Sequence, residues 1–357
     1  MAEDGSVTWR GRAEEADLER RPGVRSHDVR IDPAPLLPPQ LAAELPYRRG
    51  VARVSGDAIH FVDDGAWPAE AETAVLLFHG NPTWSYRWRG VIRHLGAGPD
   101  APEAALRATR VLAPDLVGLG LSSKPRSPRA HTLAMHLARM HELTEGLLAG
   151  SPARKRVIIV GQDWGGPIGA GVAMRLEASE PGSVAAMLFA NTSVLAPARP
   201  FRPKAFHRFS QAPLVSDLVF RGLGFPLFSL DRVQGHRGSI RGEVARAYRF
   251  PLRSPLDRAA PIGLARMVPD REAHPSVALL DAIGRFVSGF TRPTGLVWGV
   301  RDPILGRAVD RHERALRPVF VDRTQGGHFL QEEVPGLLAA RIAALVRQEP
   351  SQALGSA

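Results

Sequence analysis

The residue with the least ordinary chemistry in this chain is Asp163. It lies in Gly161-Gln162-Asp163-Trp164-Gly165-Gly166, directly after the apolar run Val157 to Val160. That run reads as a buried strand, and the small residues beyond it fall at helical spacing. Small residues at these offsets around a central side chain mark a nucleophile held on a sharp strand-to-helix turn. Glycines flank the centre because the turn is tight and the helix begins close to the strand. Turns of this kind often carry Ser, whose hydroxyl needs a base before it can attack. Asp163 brings a carboxylate, which is already an anion at neutral pH. Such a group suits displacement at an sp3 carbon bearing a leaving group, as in alkyl halides or epoxides. Its ester can afterwards be opened by water. Taken alone, Asp163 reads equally well as the N-cap of the following helix.

Partners elsewhere in the chain break that tie. Asp302 lies in Gly299-Val300-Arg301-Asp302-Pro303, and His328 in Gly326-Gly327-His328-Phe329-Leu330. Each follows a short apolar run, Gly295 to Trp298 and Val319 to Val321, at the strand edge where sites collect in open parallel sheets. Asp302 can hold one imidazole tautomer and stabilise the imidazolium. His328 alone would read as a packing or hydrogen-bonding loop residue. Nucleophile, acid and base in this chain order favour a catalytic set. A further loop, His79-Gly80-Asn81-Pro82, follows the apolar run Thr73 to Phe78. Asn81 offers a backbone N–H toward an oxyanion and a side-chain amide donor, although Asn is also common at plain turns. Asp115 precedes two glycines and reads as turn-forming. His131, His136 and His141 are spaced five apart, do not line one helix face, and read as surface or packing residues.

The elements that must position these groups alternate. Tyr47 to Gly65 reads as a hairpin about Ser55-Gly56-Asp57. Helices are expected over Thr83 to Leu95, His131 to Leu148, Ser276 to Phe290 and about Val334 to Arg347. Strands are expected at Thr73 to Phe78, Val111 to Ala113, Val157 to Val160, Val184 to Ala190, Gly295 to Trp298 and Val319 to Val321. This alternation predicts an α/β fold with a mostly parallel central sheet flanked by helices. Residues 194–270 are rich in Pro, Arg, Phe and Gly with short helical pieces, and read as an inserted helical cap. The expected division is a poorly ordered N-terminal extension over 1–45, a main domain over 46–193 and 271–347, the cap, and a tail over 348–357. Phe201, Phe206, Phe220, Phe225 and Phe228 could line an apolar pocket or form the core of the cap.

The 357 residues suffice for one such domain with an insertion, and the apolar and charged shares, 44% and 23%, are those of a globular protein. The chain has no cysteine, which excludes disulfides, thiolate metal sites and a Cys nucleophile. Net charge is +10, but the arginines are scattered and the only lysines are Lys124, Lys155 and Lys204. No nucleic-acid-binding signature accompanies the charge. No apolar run is long enough to span a bilayer, and the charged first twenty residues contain no secretory core. A cytoplasmic location is therefore expected.

Four stretches together resemble the haloalkane dehalogenases of the α/β-hydrolase superfamily: HGNPTWS from His79 to Ser85, APDLVGLGLSSKP from Ala113 to Pro125, GQDWGG from Gly161 to Gly166 and GGHFLQEEVP from Gly326 to Pro335. The resemblance spans roughly Leu45 to Leu345. It implies that Asp163 is the nucleophile, His328 the base and Asp302 the acid. It further implies that the side-chain N–H groups of Asn81 and Trp164 hold the leaving halide, and that their backbone N–H groups form the oxyanion hole. One branch of the family places its acid, usually Glu, after the strand that here ends at Ala190. Asn191 and Thr192 stand there, so the closest branch pairs an Asp–His–Asp triad with an Asn–Trp halide pair. The expected partners are a small halogenated hydrocarbon, water and halide, with no cofactor and no metal.

The nearest rival is an epoxide hydrolase with the same Asp–His–Asp logic. It needs acids over the site, commonly two cap tyrosines. Only three tyrosines occur, Tyr47, Tyr86 and Tyr248, and only Tyr248 falls in the cap.

Overall fold

The computed structural model describes residues 29–201, 205–212 and 214–348. Nine strands form one sheet: β1 Arg30–Pro33, β2 Arg48–Val54, β3 Asp57–Gly65, β4 Thr73–Phe78, β5 Thr109–Pro114, β6 Val157–Asp163, β7 Val184–Thr192, β8 Thr294–Gly299 and β9 Phe320–Thr324. Their spatial order is β1-β2-β3-β5-β4-β6-β7-β8-β9. The β1–β2, β2–β3 and β3–β5 pairs are antiparallel, and every pair from β5–β4 to β8–β9 is parallel. This is the expected α/β-hydrolase architecture.

The central strands are apolar throughout because helices cover both faces. Alternate residues then go to opposite sides. Leu76, Phe78, Val157 and Ile159 pack with Leu137, Ile168 and Ile283 from the helices Leu133–Leu148, Gly165–Ser179 and Val277–Gly289. Val75, Leu77, Ile158 and Val160 pack with Val91, Ile92, Leu338 and Ile342 from the helices Arg89–Leu95 and Pro335–Arg347. Fully burying one such side chain stabilises the fold by roughly 1.5–3 kcal/mol. The β2–β3 hairpin turns at Ser55 and Gly56, both left-handed with φ of 44° and 85°, as a two-residue turn requires.

Two expectations need correction. Residues 29–45 of the expected disordered extension are structured. β1 pairs with β2, and a helix spans Pro39–Glu44 with Leu41 buried, because isolated apolar residues there find the sheet edge despite the prolines. Residues 1–28 lie outside the described residues, as do 349–357 of the tail. The helix expected over Thr83 to Leu95 begins as a tighter 3-10 turn, Ser85–Trp88, and becomes α-helical only from Arg89 to Leu95. Bonds from the preceding loop hold that first turn.

Between β7 and β8 the chain inserts the helices Ala205–Gln211, Gly242–Arg249 and Ala259–Arg266 with shorter turns between them, before the helix Val277–Gly289 returns to the face of the sheet. Phe220, Ile262 and Ala265 form a small cluster of their own, against which Phe209 and Phe225 pack. Phe220 and Phe225 thus serve the interior of the insertion, whereas Phe228 is exposed. The insertion is tied to the sheet by polar bonds as well. Trp84 Nε1 donates to Ala247 O at 3.1 Å, and the His328 backbone N–H donates to Val233 O at 2.9 Å.

Candidate active site

Asp163 ends β6 with φ of +52°, a left-handed conformation that only a tightly constrained turn imposes on a non-glycine residue. The helix Gly165–Ser179 starts two residues later. Its approach is so close that a Cβ on Gly165 would lie 2.1 Å from the Phe78 carbonyl oxygen. Across the turn, a Cβ on Gly80 would lie 2.3 Å from Asp163 itself. The two glycines thus let the loop after β4 close on the carboxylate. Thr192 Oγ1 donates to the Asp163 carbonyl at 2.6 Å and fixes the turn from the β7 side.

The Asn81 backbone N–H donates to Asp163 Oδ1 at 2.8 Å. A matching bond from the Trp164 backbone N–H is not present among the described residues. The Asn81 side chain reaches the insertion, where Nδ2 donates to Pro261 O at 2.9 Å, and its Oδ1 is buried without a partner. One amide hydrogen of Asn81 is therefore engaged, and the second is not. Trp164 is half-buried against the core at the start of the helix, and its indole N–H has no hydrogen bond among the described residues.

His328 is buried, with Nε2 3.6 Å from Asp163 Oδ2. Its Nδ1 lies 2.8 Å from Asp302 Oδ2. An ionised carboxylate only accepts, so Nδ1 carries the proton and Nε2 faces Asp163. Burial pushes the imidazole pKa down, but Asp302 and then Asp163 outweigh it and raise the value above the usual histidine range. Burial likewise pushes the Asp302 carboxyl up, and His328, the Ile304 N–H and Asn191 together hold it below the usual range. The structure thus brings Asp163, Asp302 and His328 into one line, with Asn81 and Trp164 beside them.

Three further residues complete the surroundings. Asn191, at the end of β7, donates to Asp302 Oδ2 at 2.7 Å and accepts from the Gly299 N–H at 2.7 Å. From sequence it was legible only as an uncharged residue where an acid could have stood. Gln162 donates to His328 O at 2.8 Å, and its carboxamide oxygen accepts from Arg87 at 2.6 Å. No spacing rule singles out Gln162 or Arg87, because their partners are set by tertiary packing. Asp115 takes the turn-forming place expected of it: it is fully buried and accepts from the backbone N–H groups of Ser85 and Leu121, at 2.6 and 2.8 Å.

All three tyrosine hydroxyls are committed elsewhere. Tyr47 donates to Arg89 O at 2.6 Å, Tyr86 to Glu44, and Tyr248 to Glu332 Oε1 at 2.5 Å.

Residues 73–335 match the family model described as alpha/beta hydrolase fold. The chain is 31% identical over 291 residues to a haloalkane dehalogenase of Mycobacterium marinum, covering 80% of this chain and 87% of that one. It is 31% identical over 296 residues to haloalkane dehalogenase 2 of Mycobacterium tuberculosis, covering 80% and 90%. Among solved structures, haloalkane dehalogenase DpaA from Paraglaciecola agarilytica superposes with a TM-score of 0.69 at 22% identity, over 87% of this chain and 98% of that one. The matched span contains the elbow, the loop after β4 and the ends of β8 and β9. The chain belongs to the haloalkane dehalogenase family of α/β-hydrolase-fold enzymes.

Proposed function

We propose that this enzyme opens a carbon–halogen bond through a covalent ester on Asp163, with His328 as base, Asp302 as acid, and Asn81 and Trp164 as the halide pair. The observation that carries the reading is the placement of the Asp163 carboxylate. Oδ1 is held by the Asn81 N–H, and Oδ2 faces His328 Nε2. Oδ2 is therefore the oxygen left to attack. It bonds to the carbon as the halide departs with the bonding pair. The second Asn81 amide hydrogen and the Trp164 indole N–H are preorganised donors for that charge.

Oδ1 is then the ester carbonyl oxygen. Water, deprotonated by His328, adds to the carboxyl carbon, and the negative charge developing on Oδ1 is met by the Asn81 N–H. Collapse of this intermediate breaks the ester, and the leaving alkoxide takes the proton back from His328. Asp163 is left as a carboxylic acid carrying the water-derived oxygen and loses its proton to regain the carboxylate, so the products are an alcohol, a halide ion and a proton. Asp302 holds the imidazole so that Nε2 faces the water. Neither half-reaction calls on a cofactor or a metal.

The tyrosines favour this reading over epoxide opening. An epoxide oxygen needs an acid above the nucleophile, and each tyrosine hydroxyl is already donating away from Asp163. The test is halide release from a panel of brominated and chlorinated alkanes. The wild-type enzyme is expected to release halide, and Trp164→Phe, which removes one donor and keeps most of the ring, to lose on the order of 10²–10³ in rate. Undiminished turnover in Trp164→Phe removes Trp164 from the halide pair. Turnover of epoxides without any halide release removes the reading altogether.

A further inference from the structure

Arg87 is fully buried beneath the site, in the 3-10 turn that follows the Asn81 loop. An arginine cannot shed its proton, and burying a charge costs several kcal/mol unless it is compensated. The guanidinium nevertheless bonds only to neutral oxygens: Thr83 Oγ1 at 2.9 Å, Gln162 Oε1 at 2.6 Å and Gln331 Oε1 at 2.7 Å. It lies 4.9 Å from the Phe329 ring centroid, and its Nε has no partner. No carboxylate pairs with it among the described residues. Glu332, one of the acids that act on it, is occupied by Arg89 at 2.6 Å and by Tyr248 at 2.5 Å.

The consequence passes through Gln162. Arg87 offers only donors, so the Gln162 oxygen must turn toward it. That leaves the Gln162 amide nitrogen facing His328, where it donates to the backbone carbonyl at 2.8 Å and lies 3.5 Å from the ring Nε2. An N–H aimed at Nε2 is compatible with a lone pair there and opposed to a second proton. We propose that Arg87 and Gln162 are positioning residues that hold His328 in its base form for the ester-opening half-reaction, a role that rests on the covalent reading above.

The charges around the imidazole make the timing specific. Asp302 from the turn after β8 and Asp163 from β6 favour the imidazolium, and Arg87 opposes it. Tyr248, Asp163 and Glu332 are the groups that face Arg87 in turn. Forming the ester removes the charge of Asp163. Arg87 then stands against Asp302 alone, and its influence is greatest in the state that needs a neutral base.

The experiment is transient kinetics with a brominated alkane from pH 5.5 to 9, resolving bromide release from ester opening. Arg87→Met is expected to leave the first step within about threefold. Ester opening should slow about tenfold at pH 6 and recover by pH 9, an upward move of the acid limb by about one unit, the scale on which a neighbouring charge shifts an imidazole. Arg87→Lys keeps the charge and should keep the limb. Gln162→Glu retains volume and gives Arg87 a carboxylate partner, so it tests the same idea if Arg87→Met does not fold; its limb should also move up. An unmoved limb in Gln162→Glu, or equal loss in both steps without a pH shift in Arg87→Met, overturns the proposal. If His328→Ala still traps an Asp163 adduct while both limbs stay fixed, only the positioning role fails. If His328→Ala traps none, the covalent reading itself fails.

Discussion

Asp302 is held from three directions, by His328, by Asn191 and by the Ile304 N–H at 2.7 Å, and it has no exposed carboxylate oxygen to lose. Asp302→Asn keeps this volume but ends the preference for one imidazole tautomer. The expected result is a folded enzyme with steady-state halide release reduced by several orders of magnitude, as a serine-type triad loses about 10⁴ from the same change. Asp322 and Asp310 are the controls. Asp322 pairs with Arg341 at 2.7 Å and Asp310 with Arg323 at 2.6 Å, so their Asn variants should keep full turnover. An inactive Asp322→Asn beside an active Asp302→Asn would reassign the acid. Asp163, Asp302, His328 and Asn81 stood out as candidates in the sequence because the strand-to-helix turn, the loop after Phe78 and the strand ends mark them locally, whereas Trp164 was singled out only through the family resemblance. Asn191, Gln162 and Arg87 were not, because each acts through a contact with a residue far along the chain.

The loop that carries Asn81 is held by a buried polar network. His79 Nε2 accepts from the Leu116 N–H at 2.9 Å, and Asp115 Oδ2 lies 2.8 Å from His60 Nδ1. Burial pushes the His79 pKa down to about 4, against the opposing pull of Asp115. Nearby, His136 on the helix Leu133–Leu148 is fully buried with neither ring nitrogen bonded, stacked 5.5 Å from His131. Burial, then His131 and His79, hold its pKa well below the usual range. In the native state both His79 and His136 bind fewer protons than in the unfolded chain. The contribution of these two residues to stability is therefore full above about pH 6.5 and is lost as pH drops below that value, opposite in sign to that of His328, whose pKa is raised. His136→Leu removes an unsatisfied buried imidazole and should stabilise the fold by about 1–3 kcal/mol, more at pH 5 than at pH 8, in urea denaturation. An equal gain at both pH values would exclude His136 from the acid sensitivity. The sequence marks His131 and His136 as surface or packing residues, and both are buried. Its periodicity also located most strands and long helices, since apolar alternation and helix spacing are local signals. The ordered stretch over 29–45 escaped because β1 is fixed only by the edge it pairs with.

At the scale of the whole molecule, the sheet and the insertion supply different halves of one device. Sheet ends carry Asp163, Asp302 and His328, the proposed nucleophile, acid and base, and the insertion closes over Asn81 through Pro261 and over His328 through Val233. The central claim is that attack and ester opening are separable, because Asp163 needs no base and the ester does. Intact mass of His328→Ala after reaction with a brominated alkane measures this directly. The account predicts about one bromide released per site, a mass increase of one alkyl group, and peptide mapping that places it on Asp163, the mark of a covalent intermediate. Continuous turnover by His328→Ala, or an adduct on any other residue, would contradict it.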